Sequence, residues 1–95
     1  MPVYMIAEIR VKDEKTYVGY REKAPATVEK YGGRYLVRGG QVTSLEGDWQ
    51  PGRLVVLEFP SMEQFRRWFD SPEYRQIAPI RRSSTESRLI VVEGL

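Results

Sequence analysis

Cysteine and histidine are both absent from this chain of 95 residues. Without cysteine there is no disulfide, no thiolate nucleophile and no zinc knuckle. Without histidine the chain lacks the usual ligand of metals and haem, and also the usual proton shuttle at neutral pH. Carboxylates would be the only metal ligands left, and the sequence shows no cluster of them. We therefore expect neither a metal ion nor any other cofactor.

Long apolar runs are absent as well. No segment approaches the ~20 residues that a membrane-spanning helix needs. The start of the chain does not fit a signal peptide, because Met1–Met5 runs into the charged residues Glu8 and Arg10. The sequence therefore predicts a cytoplasmic protein with no membrane partner.

Lysine is scarce, since only four of the 15 basic residues are lysines. The net charge of +2 is too small to indicate a polyanionic partner such as a nucleic acid. Arginine is suited to planar, bidentate binding of carboxylates. Genomic base composition and surface ion pairs are the alternative explanation of the arginine content.

The length fits one domain over residues 1–95. A domain of this size buries only about 60–65% of the surface that its unfolded chain exposes. Its stability is therefore expected to be marginal unless a partner covers further apolar surface.

The first half of the chain reads as a strand and a helix. Every second residue from Val3 to Val11 is apolar, a period-2 pattern that predicts a strand. Asp13 is a suitable N-cap for a helix that extends to Tyr31 and ends at Gly32-Gly33. Pro25 lies inside this helix and cannot donate to the Arg21 carbonyl, so we expect a kink or break there.

The second half predicts further strands and helices from the same periodicities. The expected elements are a strand over Arg34–Arg38, extended structure over Gln41–Glu46, a hairpin loop over Gly47–Gly52, a strand over Arg53–Phe59, a helix over Met62–Asp70 capped by Ser61, a short helix after Ser71-Pro72, and a last strand over Ser87–Glu93. In this hairpin Glu46 faces Arg53, and Gln41 lies opposite Glu58.

This order predicts an α+β fold, a ferredoxin-like βαββαβ sandwich with four antiparallel strands and helices on one face. Apolar residues occur on both sides of the strands, for example Leu54 and Val56 against Val55 and Leu57. An antiparallel sheet with one wet face should instead alternate between apolar and polar residues. We therefore expect a homodimer through the open sheet face.

Several short segments occur in an order typical of a known family. They are Tyr17-Val18-Gly19-Tyr20, Tyr31 to Gly40, Leu45 to Trp49, Glu58 to Ser61, Ser71 to Tyr74 with Arg81, and Val91 to Gly94. Together they make the chain similar to the domain of unknown function 1330 over nearly its whole length. The stretch from Tyr-Gly-Gly-Arg to Arg-Gly-Gly is the most specific part.

The resemblance implies a dimeric α+β barrel of ferredoxin-like protomers. Relatives at the level of the fold include cofactor-free oxygenases, isomerases and haem-handling enzymes, whose sites usually lie between sheet and helices. The family itself implies no activity, and fold analogy cannot supply one. Phe65 stands where the family commonly has alanine, which predicts a smaller or reshaped pocket beside that helix.

Arg34 and Arg38 are the first candidates for ligand binding. They lie four residues apart on one strand, so we expect both on the same face, with Leu36 between them. Two guanidinium groups so close repel unless an anion lies between them. They are predicted to hold a carboxylate or phosphate of a substrate. Ion pairs with glutamates of neighbouring strands or of the other protomer are the alternative.

Glu58 interrupts an otherwise apolar strand and is the best general base that the chain offers. Its alternative role is a structural ion pair with Arg34 or Arg38. Tyr20 and Tyr74 are predicted to donate hydrogen bonds to a ligand oxygen, or else to be core residues whose hydroxyls reach the edge. Arg81 is a further candidate ligand contact, although a cation at a helix C-terminus also complements the helix dipole.

Nucleotide and RNA binding are disfavoured. Gly32-Gly33 follows a helix and precedes a strand, the reverse of a dinucleotide fingerprint. The strand over Arg53–Phe59 lacks the stacking aromatics of an RNA-recognition domain.

Two functions are left open. The first is binding of, or action on, a small anionic or carboxylate-bearing metabolite, with Glu58 as base, Arg34 and Arg38 as clamp, and Tyr20 or Tyr74 as hydrogen-bond donor to an oxygen. The second is a non-catalytic dimeric interaction module.

Overall fold

The computed structural model describes residues 1–95 and contains one sheet with helices on one side. The elements are β1 (Val3–Val11), α1 (Glu14–Lys30), β2 (Arg34–Arg38), β3 (Arg53–Phe59), α2 (Met62–Phe69), α3 (Pro72–Ser84) and β4 (Thr85–Glu93). The strands are all antiparallel, in the order β2-β3-β1-β4. The predicted ferredoxin-like arrangement is confirmed, with α2 and α3 in the place of its second helix. None of the three helices has the length and apolar character needed to span a membrane.

Helix α1 begins where predicted and is continuous through Pro25. The Asp13 side chain accepts from the Thr16 backbone N–H at its start, and Gly32, with φ of +83°, follows its end. The expected break at Pro25 is wrong. The carbonyl of Arg21, which Pro25 cannot satisfy, instead accepts a hydrogen bond from Arg38 Nη2 at 2.5 Å. A side chain from β2 therefore takes the place of the missing helical donor.

The core lies between the sheet and the helices. Seven inward side chains of β1 and β3 are buried: Val3, Met5, Ala7, Ile9, Val55, Leu57 and Phe59. Helix α2 adds Phe65 and Trp68, whose rings lie 5.7 and 5.3 Å from the Phe59 ring. Phe65 therefore fills the core beneath α2.

The long connection between β2 and β3 is irregular from Gly40 to Gly52. The predicted extended segment Gln41–Glu46 is wrong, because Arg34–Arg38 already pairs with the free edge of β3. The last ladder bond runs from the Gly39 N–H to the Leu54 carbonyl at 2.8 Å, and the φ of +72° at Gly39 turns the chain off the sheet.

The expected hairpin pairings are therefore wrong too. Arg34, not Gln41, lies opposite Glu58. Glu46 is exposed in the connection and makes no ion pair with Arg53. The side chain of Arg53 points inward, because its backbone pairs with that of the buried residue Ile9.

The outer face of the sheet is apolar over its centre. Ile6 pairs with Val56 on one side and Ile90 on the other, so these three side chains share this face. Ile90 is 62% exposed and Val92 is 46% exposed. We call this surface the open face. The prediction that both sides of the sheet are apolar is confirmed, whereas the pairing of two sheets stays a prediction.

Candidate ligand-binding cavity

A cavity opens between the inner face of the sheet and helices α1 and α3. Its floor is apolar and is formed by Met5, Ala7, Ile9, Val55, Leu57 and Leu89. The cavity and its mouth together enclose about 400 Å³, of which about 20 Å³ has room for the centre of a water molecule. The inner part therefore has room for little more than one water molecule.

Four arginines and no acidic residue line this cavity. The arginines are Arg21, Arg38, Arg53 and Arg81. None of them forms an ion pair within the chain. A concave surface lined by one sign of charge above an apolar floor concentrates ions of the opposite sign. The cavity is therefore suited to an anion.

A bulge in β2 separates the two arginines that the sequence placed together. The register of β2 on β3 shifts between Tyr35 and Val37, so Leu36 is the extra residue. Arg34 then pairs with Glu58 on the open face, whereas Arg38 pairs with Val55 on the cavity side. The prediction of one shared face is wrong, because an extra residue reverses the alternation of all side chains beyond it.

Arg38 lies at the mouth of the cavity. Its guanidinium packs 5.3 Å from the centre of the Tyr35 ring and donates to the Arg21 carbonyl. Burial of the Tyr35 hydroxyl raises its pKa to about 12, so this phenol stays protonated at neutral pH. Arg38 thus joins the edge strand to α1 across the opening.

Arg81 is buried, with 5% of its surface exposed, and it has no anionic partner. Its Nε donates to the Tyr74 hydroxyl at 3.3 Å and its Nη1 to the Ser87 hydroxyl at 2.7 Å. Burial by itself lowers the pKa of Arg81, but the phenol oxygens of Tyr74 and Tyr20 outweigh burial and raise it. The group is therefore a buried cation with neutral neighbours only.

Tyr20 and Tyr74 form a pair beside Arg81. Their hydroxyl oxygens lie 2.9 Å apart, and Tyr20 contributes to the cavity wall while Tyr74 lies behind it. Burial raises the pKa of Tyr20 strongly, and the adjacent Tyr74 hydroxyl raises it further. Tyr20 therefore stays a neutral hydrogen-bond donor.

Arg53 is a cavity residue that the sequence reasoning missed. Its guanidinium lies 6.0 Å from the centre of the Tyr17 ring, and its buried Nε has no hydrogen-bond partner. The signal was present in the sequence, because Arg53 has the same parity along the strand as the inward residues Val55 and Leu57. The predicted hairpin pairs Arg53 with Glu46 instead.

Besides Arg34, two further sequence predictions fall outside the cavity. Glu58 lies on the open face, where it accepts a hydrogen bond from Arg34 Nε at 2.5 Å and its side chain is 21% exposed. Its role as a general base therefore stays a prediction, on the side of the sheet away from the cavity. Phe65 does not line the cavity either. No group of three or more acidic side chains is arranged to hold a metal ion.

Comparisons with known proteins agree with this fold. The family model of the domain of unknown function DUF1330 matches residues 2–95. None of the curated proteins matches the chain in sequence. A solved structure of a protein of unknown function from Rhodopseudomonas palustris is similar with a TM-score of 0.81 and 23% identity, over 99% of this chain and 82% of that chain.

Two more distant structures share the fold. SnoaB, a cofactor-independent oxygenase from Streptomyces nogalater, is similar with a TM-score of 0.69 and 14% identity, over 99% of this chain and 93% of that chain. A dabb family protein with a ferredoxin-like fold from Mesorhizobium loti gives a TM-score of 0.64 and 13% identity, over 99% and 97%. At these identities the likeness concerns the fold alone.

Proposed function

The chain belongs to the DUF1330 family, a family of unknown function, and we propose that it binds a small anionic metabolite in the cavity between sheet and helices. Carboxylate-bearing molecules fit best, because arginine presents a planar, forked set of donors to a carboxylate. The ligand contacts of this proposal are Arg38, Arg53, Arg81 and Tyr20.

The main observation in support of this proposal is the buried charge of Arg81. Removing an ion from water costs several kcal/mol unless a counter-charge compensates it, and buried charges in proteins are therefore normally paired. No carboxylate of the chain lies at Arg81. An anionic ligand supplies the missing partner, with attraction that the low local dielectric strengthens.

The neighbouring phenols direct a donor toward the same place. Since the Tyr74 oxygen accepts from Arg81 Nε, the Tyr74 hydroxyl is free to donate to the Tyr20 oxygen. The Tyr20 proton then points into the cavity and donates to an oxygen of the ligand. In this arrangement Tyr74 acts behind the wall and Tyr20 contacts the ligand.

Entry of a ligand requires movement at the mouth, because the inner space is close to the volume of a single water molecule. The mouth is lined by long side chains, of which Arg38 is exposed and Arg21 and Arg53 are half-buried. These side chains can rotate outward without disturbing the core.

The test is calorimetric titration with benzoate and, as the uncharged control, benzamide. Benzoate is expected to bind and benzamide is not. Arg81→Gln removes the charge but can still donate hydrogen bonds, so we expect benzoate affinity to fall about tenfold or more, the effect of losing one charge-assisted hydrogen bond. Thermal unfolding of ligand-free Arg81→Gln is expected at or above the wild-type midpoint, because an unpaired buried charge is removed.

The matched control is Arg67→Gln, an arginine of α2 that pairs with Glu63 on the surface. It is expected to leave benzoate binding unchanged. Equal affinity of the wild-type chain for benzoate and benzamide, or unchanged affinity of a folded Arg81→Gln variant, contradicts the proposal.

We also propose that the open face pairs with a second copy of the chain. The exposed apolar residues at its centre favour this, since a patch of this kind is seldom left in water. The Arg34–Glu58 and Arg88–Glu8 ion pairs lie on the same face and would border the contact. A two-fold arrangement places like residues against each other and leaves the cavity free on the far side of each sheet.

A further inference from the structure

The cationic groups of the cavity lie at two separate ends. Ile9 of β1 pairs with Arg53 on one side and with Ser87 on the other, so Arg53 and Ser87 belong to the same row across the sheet. Their backbones are separated by two strand spacings, roughly 10 Å. Since Arg81 is hydrogen-bonded to Ser87, its charge is fixed at the β4 end of this row.

The opposite end carries the other charges. Arg38 pairs with Val55 at the β2 edge, and the guanidinium of Arg53 lies beside Gly39, the first residue after β2. Arg53 Nε is buried without a partner there. Both ends therefore carry guanidinium charges that no carboxylate of the chain compensates.

An apolar and aromatic stretch joins the two ends. The rings of Tyr17 and Tyr20 stack with their centres 5.8 Å apart. Arg53 lies against the Tyr17 ring and Arg81 against the Tyr20 ring, each at 6.0 Å. The order along the cavity is thus cation, ring, ring, cation, above the apolar floor formed by the sheet.

One acidic group cannot compensate both ends. Coulomb attraction falls with the inverse of distance, so a carboxylate at 4 Å from one guanidinium attracts another at ~10 Å less than half as strongly. Resting on the proposed function, we infer that the ligand is a small dicarboxylate, with one carboxylate at Arg81 and Tyr20, the other at Arg38 and Arg53, and an apolar body between them.

The experiment compares a diacid with its own monoamide. Terephthalate and 4-carbamoylbenzoate have the same ring and nearly the same shape, and differ by one charge. Adipate and its monoamide repeat the comparison with a flexible chain, which can enter a cavity too narrow for a ring. In calorimetric titrations of the wild-type chain at fixed ionic strength, the better-fitting diacid is expected to bind at least tenfold more tightly than its monoamide.

Variants at either end should remove this preference. In Arg53→Gln and in Arg81→Gln we expect the diacid to bind no more than about twofold more tightly than the monoamide, whereas Arg67→Gln keeps the full difference. Arg53→Lys and Arg81→Lys retain the charge and should keep part of the preference. If circular dichroism shows that a glutamine variant does not fold, the lysine variant at the same position takes its place in the comparison.

The outcomes separate the two proposals. If no acid of either series binds the wild-type chain, the proposed function fails and the dicarboxylate inference falls with it. If acids bind but each diacid and its monoamide bind within twofold of each other, anion binding stands and the inference of a two-ended ligand is overturned. Loss of the preference in Arg67→Gln as well would also overturn it, because the preference would then not arise in the cavity.

Discussion

Glu8 and Arg81 are the two charged side chains buried in this fold, and their surroundings differ. Glu8 accepts from Arg88 Nε at 3.0 Å and from the Gly52 N–H at 3.3 Å. The hydrogen bonds from Arg88 outweigh the effect of burial and lower the pKa of Glu8. Arg81 has no comparable partner, so Glu8 is a compensated structural charge and Arg81 is available to a ligand.

Glu73 provides a pH test at the scale of a residue. Hydrogen bonds from Lys30 and Tyr31 hold its pKa at about 2, below the ordinary value of 4.5. Because the folded pKa is the lower one, this stabilisation is complete above pH 4.5 and is lost as the pH falls from 4.5 toward 2. In urea unfolding across this range, Glu73→Gln should lose less stability with falling pH than the wild-type chain.

The control for this measurement is Glu22→Gln, at an exposed position of α1 without an ion pair. It should follow the wild-type pH dependence. If Glu73→Gln also follows the wild-type curve, the Lys30–Tyr31–Glu73 contact does not stabilise the fold.

At the scale of an element, the helix α1 and the strand β2 each contain one local irregularity, and the two irregularities act together. Pro25 leaves the Arg21 carbonyl without a helical donor, and the bulge at Leu36 turns Arg38 toward the cavity side, where it supplies one. Either irregularity alone would leave an unsatisfied group or a misdirected charge. Together they place a guanidinium at the cavity mouth.

Pro25→Ala tests this coupling. The new N–H of residue 25 can donate to the Arg21 carbonyl and complete the helix, so we expect the free energy of unfolding to rise by about 1–2 kcal/mol, less than the ~3 kcal/mol cost of an interior proline because Arg38 already satisfies that carbonyl. Arg38 then loses its acceptor and its fixed position. Benzoate affinity is expected to change severalfold, and hydrogen exchange should show a protected amide at residue 25.

Pro79→Ala is the matched control, since Pro79 also lies inside a helix, α3, but outside the cavity lining. It should change stability without changing benzoate affinity. An unprotected amide at residue 25 of the Pro25→Ala variant would show that Arg38 keeps the carbonyl and that the coupling is not controlled by the proline.

At the scale of the whole molecule, the apolar open face leads us to expect that two copies of the chain assemble into a dimer. Ile90→Glu places a carboxylate at the centre of this face, where pairing with a second copy would bury it without a partner. We expect sedimentation or light scattering to give twice the chain mass for the wild-type protein and the mass of one chain for Ile90→Glu, with unchanged circular dichroism.

Ala26→Glu controls for the added charge, because Ala26 is exposed on α1, on the helix side of the sheet. It should assemble like the wild-type chain. A wild-type protein with the mass of one chain at micromolar concentration contradicts the proposed pairing and leaves the apolar open face unexplained.

The sequence by itself determined the elements that depend on local periodicity and capping. The ferredoxin-like order follows from the period-2 pattern of Val3–Val11, the apolar run in Arg53–Phe59, and the caps at Asp13 and Ser61. Apolar residues at consecutive positions of the strands, such as Leu54 to Leu57, show that both faces of the sheet are apolar. These features follow from the sequence because each depends on neighbours a few residues apart.

Only the tertiary structure decided which charges meet. The bulge at Leu36 adds one residue to β2 and reverses the faces of the residues beyond it. No local sequence pattern predicts this bulge. The same is true of Gln41–Glu46, whose sequence suits extended structure although the edge of β3 is paired with Arg34–Arg38 instead. Arg38, Arg53 and Arg81 come from three separate elements and line one cavity only after the sheet and helices have packed, because long-range register, not local propensity, sets their positions.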